Sequence, residues 1–244
     1  MSGVSVVRGM RRADPASYRG AMLIVEELHL LLLRPDGRLE TAAASYRLFG
    51  EVAAVIVDLA LHDRVVVTDG SKSVVEVVSS APTGHPVLDG VLARLSPMSG
   101  KRLQSLVFSS KLDPLDEVVA SLVVQGVLVH GERGFFGWGA ERTPESDPAP
   151  EALLRSRLAA VIAGAQVPTQ ADLTLLAILQ GLNAAHAILR EESGQMSSGQ
   201  LRTRIEELAS GSAAGGAVSG AMNSAIAAAM MAAMTPVIVA ATIT

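Results

Sequence analysis

The chain of 244 residues contains no cysteine, so disulfides, thiolate metal sites and a cysteine nucleophile are excluded. Aromatic residues are scarce, with Phe 4, Tyr 2 and Trp 1. A core must therefore be filled by Val, Leu, Ile, Ala and Met, which pack well between helices. Excess positive charge is also missing: the formal net charge is −4, and no global field draws nucleic acid to the chain. No apolar run of signal-peptide length opens the sequence, so no secretory leader is expected. Charge itself disappears from Leu208 to Thr244, a stretch long enough to cross a bilayer. Ala, Gly, Ser and Met dominate it, and Gly215-Gly216 and Pro236 interrupt it. The expectation there is a buried helix that neighbours approach closely, not a membrane span.

What remains is an apolar fraction of 49%, enough for a substantial core in one compact domain. Residues 1–20 read as a flexible basic arm, with Arg8, Arg11, Arg12 and Arg19 against Asp14, and the folded domain as residues 21–244. Met22 to Leu33 suits a helix ending at the turn Arg34-Pro35-Asp36-Gly37. Leu48 to His62 suits a second helix, with Val52, Val55, Ile56 and Leu59 on one face and Asp58 offset from it. Arg64 to Thr68 and Ser73 to Val78 read as strands about the hairpin signal Asp69-Gly70. The unit recurs as a helix over Leu115 to Gln125, a cap at Gly126, and strands over Val127 to His130 and Phe135 to Ala140. A proline-containing loop and another helix follow each hairpin. Further helices are expected over Glu151 to Ala163, Gln170 to Glu192 and Gln200 to Leu208, with Thr169 or Gln170 near an N-cap and Gly194 as a stop. The fold class is a mainly α-helical single globular domain with two β-hairpins.

Several segments, in this order, resemble the Golgi phosphoprotein 3 family in its bacterial type. Met22 to Leu32 followed by Asp36-Gly37 is similar to the family's opening helix. Asp58-Leu59-Ala60-Leu61-His62-Asp63-Arg64 resembles its acidic, Leu-Ala-Leu, basic-Gly-Arg segment, and Ala81-Pro82-Thr83-Gly84 with Leu88-Asp89 its Pro-Thr-Gly loop and next helix. Leu122 to Leu128 is similar to the helix that enters the family's hairpin, and Leu173 to Ile188 to the long Leu- and Ala-rich helix beyond. The resemblance implies a helical globule decorated with hairpins. It also implies recognition of phosphatidylinositol 4-phosphate by a shallow basic pocket, self-association through an apolar hairpin, and partner proteins on other faces. The family's pocket tryptophan falls near Ala42 or Ala43 here, its first arginine near Glu51 or Val52, and its later pair near Leu112 and Leu115.

A headgroup phosphate needs convergent cationic donors, because charge-assisted hydrogen bonds must offset the cost of stripping water from the anion. Arg47 and Lys111 are the basic residues closest in sequence to those pocket positions; the alternative is that both are solvated surface charges. The basic arm could add about 1 kcal/mol of attraction per residue to an anionic leaflet. Phe135, Phe136 and Trp138 gather within four residues at the second hairpin. They suit burial in the same domain, a contact with a second subunit or a membrane interface.

Catalytic signatures are absent. His29, His62, His85, His130 and His186 have no metal-ligand spacing, and no phosphate loop or nucleophile elbow occurs. Glu26-Glu27 and Glu191-Glu192 read as solvated helix faces. The two helix–hairpin units resemble winged-helix pieces, but Leu115 to Gln125 carries Asp116 and Glu117 and no Lys or Arg, against a DNA-reading role. The expectation is a non-enzymatic, cytoplasmic peripheral membrane protein without cofactor, metal or nucleic-acid partner. It would bind anionic lipid, form a homo-oligomer and serve as an adaptor for client proteins. The alternative is a soluble homo-oligomeric scaffold or winged-helix-like protein-interaction module.

Overall fold

A computed structural model describes residues 22–41, 44–68, 73–131 and 142–212. The basic arm, the tip of the first hairpin, the aromatic segment holding Phe135, Phe136 and Trp138, and residues 213–244 of the uncharged C-terminal stretch lie outside the described residues.

Helix α1 (Ile24–Leu32) is the axis of the fold, and every one of its residues is buried. A short helix with apolar residues all round is stable only when neighbours cover it on every side. Helices α2 (Arg47–Leu61), α5 (Leu115–Val124), α6 (Ala149–Ala163) and α7 (Gln170–Gly181) all pack on it. Removing Leu28, Leu30, Leu31 and Leu32 from water contributes about 1.5–3 kcal/mol each, as an upper estimate. Gly50 lets α2 sit close: a Cβ there would meet Leu182 at 3.0 Å, and Ile178 and Leu28 at 3.3 Å. Around this centre run α3 (Pro86–Leu95), the short helices α4 (Leu103–Val107) and α8 (Ala185–Ile188), and α9 (Ser198–Ser212).

The only sheet among the described residues is antiparallel, ordered β1 (Val65–Val67), β2 (Val74–Val77), β3 (Lys101–Arg102). Val65 pairs with Val77 and Val67 with Val75, as the β-branched alternation predicts. The third strand, where Val74 pairs with Arg102 and Val75 with Lys101, is two residues long and gives no periodic signal in the sequence.

Three expectations are corrected. The long helix over Gln170 to Glu192 is broken: α7 starts at the Thr169 capping box, in which Thr169 Oγ1 accepts from the Asp172 amide, but it stops at Gly181. Asn183 then takes a left-handed φ of 54° before α8 begins, a conformation that asparagine tolerates. Over Val127 to His130 the strand contracts to a single bridge, Leu128 to Glu145. Finally, Glu26 and Glu27 are not solvated; they are 1% and 8% exposed.

Those carboxylates are inside because a buried helix end has amides without intrahelical acceptors. Asp58, from the middle of α2, accepts from the Ile24 and Val25 amides at 3.0 Å each, and Glu26 accepts from the Leu23 amide at 2.9 Å. Glu27 takes Arg157 Nη2 at 2.8 Å, while Arg157 Nε donates to Asp172 at 2.7 Å, so one guanidinium from α6 ties α1 to α7. The Asp58-to-Arg64 segment thus has a structural meaning. Asp58 caps α1, Asp63 adopts the left-handed φ of 56° that explains a family glycine there, and Arg64 donates to the carbonyls of His62, Ala81 and Pro82. The Pro-Thr-Gly loop is fixed likewise, the Thr83 amide and hydroxyl both donating to Asp89 in the first turn of α3.

Burial pushes the Asp58 carboxyl from its ordinary value of 3.8 up to about 7, the two α1 amides opposing the shift and Glu26 and Glu27 adding to it. The folded state then binds a proton more tightly than the unfolded chain, so this group's stabilisation is full below pH 4 and is lost as pH rises through about 7. Chemical denaturation should show stability falling between pH 5 and 7 with a slope from this group of up to about 1.4 kcal/mol per pH unit. Asp58→Asn should flatten that slope and, by leaving an α1 amide without an acceptor, cost at least about 1 kcal/mol at pH 5.

Candidate functional site

The start of α2 and the segment Ser110–Asp113 come together on one side of the molecule, bringing close the chain regions where the resemblance places the lipid pocket. Arg47, in the first turn of α2, donates from Nη1 and Nη2 to the two carboxylate oxygens of Asp113 at 2.9 and 2.7 Å. Its Nη1 also pairs with Glu51 one turn along the helix. Glu51 is fully buried, and its other oxygen lies 2.7 Å from His29 Nδ1 on α1. A chain of charge therefore runs from the surface inward: Asp113, Arg47, Glu51, His29.

The electrostatics of this chain follow from the pairing. Burial works against the charge on Arg47, but its hydrogen bonds to Asp113 and the charge of Glu51 outweigh it and hold the guanidinium protonated more firmly than in water. Burial likewise opposes ionisation of Asp113, and Arg47 overcomes it, lowering that carboxyl below its usual range. Both terminal nitrogens of Arg47 are engaged by carboxylates, and its side chain is only 12% exposed. Lys111 differs: it is exposed and makes no ion pair among the described residues. Leu112, near one of the family's arginine positions, is a core residue at 0% exposure.

Above this chain stand all the aromatic residues among those described. The Tyr46 and Phe49 ring centroids are 6.1 Å apart, and Phe49 meets Phe108 edge-on at 4.6 Å. Phe108 keeps 40% of its surface in solvent, directly after α4 and three residues before Lys111. The sequence reading missed this cluster because its members are 62 residues apart at the extremes, with the sheet, α3 and α4 lying between Phe49 and Phe108.

Two other polar groups also escaped it. Ser121 Oγ donates to Glu26 Oε1 at 2.6 Å, Gln125 Nε2 donates to the same oxygen at 2.9 Å, and His85 Nε2 stands 3.8 Å away. The acid lies between serine and histidine, the reverse of a nucleophile relay, so the cluster ties α5 to α1. At the Leu128–Glu145 bridge, Arg155 pairs with Glu151 at 2.6 Å and Glu192 at 2.9 Å. Burial, followed by the neighbouring Glu151, raises the Glu145 carboxyl to about 7. Among the described residues no group of acids and histidines could hold a metal ion, and no helix is long and apolar enough to cross a membrane.

The family model of Golgi phosphoprotein 3 (GPP34) matches residues 24–229, which is most of the chain. The chain belongs to this family. No curated protein matches it.

The two basic candidates should separate in stability. Arg47→Ala strands the buried Glu51 and should cost about 3–5 kcal/mol in chemical denaturation. Lys111→Ala should stay within about 0.5 kcal/mol of the parent.

Proposed function

We propose that this member of the Golgi phosphoprotein 3 family is a non-enzymatic peripheral membrane protein that binds anionic phospholipid headgroups and acts as an adaptor for other proteins. Family membership suggests phosphatidylinositol 4-phosphate as the headgroup. The observation that carries the reading is the surface where the start of α2 meets residues 110–113. There Lys111, exposed and without an ion pair among the described residues, follows the half-exposed Phe108 by three residues, in the chain region where the resemblance gives the lipid site. A flexible ammonium suits a phosphate as a point charge, and an aromatic ring suits the headgroup level of a bilayer.

Arg47 belongs to the same surface, but a phosphate reaching it must displace Asp113 from both its terminal nitrogens. Contact with the cytoplasmic membrane face and a homo-oligomer contact through Phe135, Phe136 and Trp138 complete the proposal. The aromatic concentration at 135–138 also fits a soluble homo-oligomeric scaffold, which would show a light-scattering mass above the 25.3 kDa monomer and no affinity for lipid.

Co-sedimentation with liposomes of neutral lipid alone, or with phosphatidylglycerol, phosphatidylinositol or phosphatidylinositol 4-phosphate added, tests the reading. Binding to the anionic liposomes and not to neutral ones is expected, with Lys111→Glu weakening it at least fivefold. Failure to bind any liposome overturns the lipid reading and favours the scaffold.

A further inference from the structure

We propose that the contact with lipid is an open basic–aromatic strip formed by residues 101–111, which reads the surface charge of a membrane and not the stereochemistry of one headgroup. This inference rests on the lipid-binding reading above and specifies how that surface would work.

Between Asp89 and Asp113 the sequence has no acidic residue, although the whole chain is net negative. The same stretch carries Arg94, Lys101, Arg102 and Lys111. Arg94 is taken by Glu117, whereas Lys101, Arg102 and Lys111 are exposed and make no ion pair among the described residues. The local fold turns these cations outward. Leu103, Leu106 and Val107 on α4, spaced i, i+3 and i+4, are buried, and so is Leu112. Gln104, Ser105 and Phe108 therefore lie on the opposite side of the same turn and a half of helix, with β3 delivering Lys101 and Arg102 at one end and Ser110–Leu112 delivering Lys111 at the other.

The scale suits a flat target. Six residues at helical rise separate Arg102 from Phe108 by about 9 Å, and three residues allow at most about 10 Å more to Lys111. Three cations thus flank one exposed ring within about 20 Å. Neighbouring headgroups in an anionic leaflet can together meet cations spread along such a strip. The Arg47 fork is engaged by Asp113 and Glu51, and the strip's one guanidinium, Arg102, stands at the other end of α4 from Lys111, so no convergent set of donors is built around a single headgroup. Glu76, exposed on the adjacent strand beside Val75, is a carboxylate bordering the strip and should weaken the contact.

The test compares the full chain with a Lys101→Gln/Arg102→Gln/Lys111→Gln variant, Phe108→Ser and Glu76→Gln, on vesicles of phosphatidylcholine containing phosphatidylglycerol or phosphatidylinositol at equal mole fraction. Circular dichroism confirms folding of each. At about fivefold in partitioning per basic residue, the triple variant should lose about a hundredfold at low salt. The deficit should shrink at high salt, as charge screening requires. Phe108→Ser should weaken binding at both salt concentrations, Glu76→Gln should strengthen it, and the two anionic lipids should bind the parent within about twofold of each other. Triple-variant binding equal to the parent overturns the strip while leaving lipid binding intact, as does a phosphatidylinositol preference that survives in the triple variant. Failure of the parent on every anionic vesicle overturns the underlying lipid reading instead.

Discussion

The whole arrangement depends on a carboxylate in the wrong place for a carboxylate: Asp58, buried in α2, accepting two amides from the end of α1. A wholly buried helix must have its terminal amides satisfied from within the protein, since no water reaches them. Asp58 and Glu26 do this at the N-terminus, their side-chain oxygens accepting from the Leu23, Ile24 and Val25 amides. Once α1 is held inside, α2, α5, α6 and α7 share it as a common core, and α2 presents Arg47 at the surface end of its own first turn. The candidate site is positioned by the same helix that secures the centre of the fold.

Much of this was legible in the sequence, and the remainder was hidden for identifiable reasons. Periodicity and turn chemistry located α1, α2 and the first hairpin, because those signals are local. Buried charge is not local: Glu26 and Glu27 look like a solvated pair until Ser121, Gln125 and Arg157 arrive from other helices. The break after α7 is unmarked by proline, and asparagine at 183 supports the left-handed turn where a glycine would have announced it. Two-residue β3 and five-residue α4 are too short for any periodic pattern, yet they build the basic strip.

The site residues show the same division. Arg47 and Lys111 were recognisable as cations near the family's pocket positions, but sequence could not distinguish them. Asp113, 66 residues from Arg47, makes one a bidentate structural ion pair, while the other stays in solvent. A pocket that depended on a free arginine fork has no such fork at Arg47 in this chain. The physical consequence is a shift of emphasis from stereochemical recognition toward exposed charge and one aromatic ring, within a fold that membership of the Golgi phosphoprotein 3 family accounts for.

Hydrogen–deuterium exchange of the full chain, with and without vesicles containing anionic lipid, tests the central claim most directly because it locates the membrane face without any substitution. The account predicts added protection confined to residues 101–112 and the first turn of α2, with the exchange of α1 and α7 unchanged. Protection elsewhere on the described surface with none at 101–112, under conditions where the protein sediments with the vesicles, would contradict it.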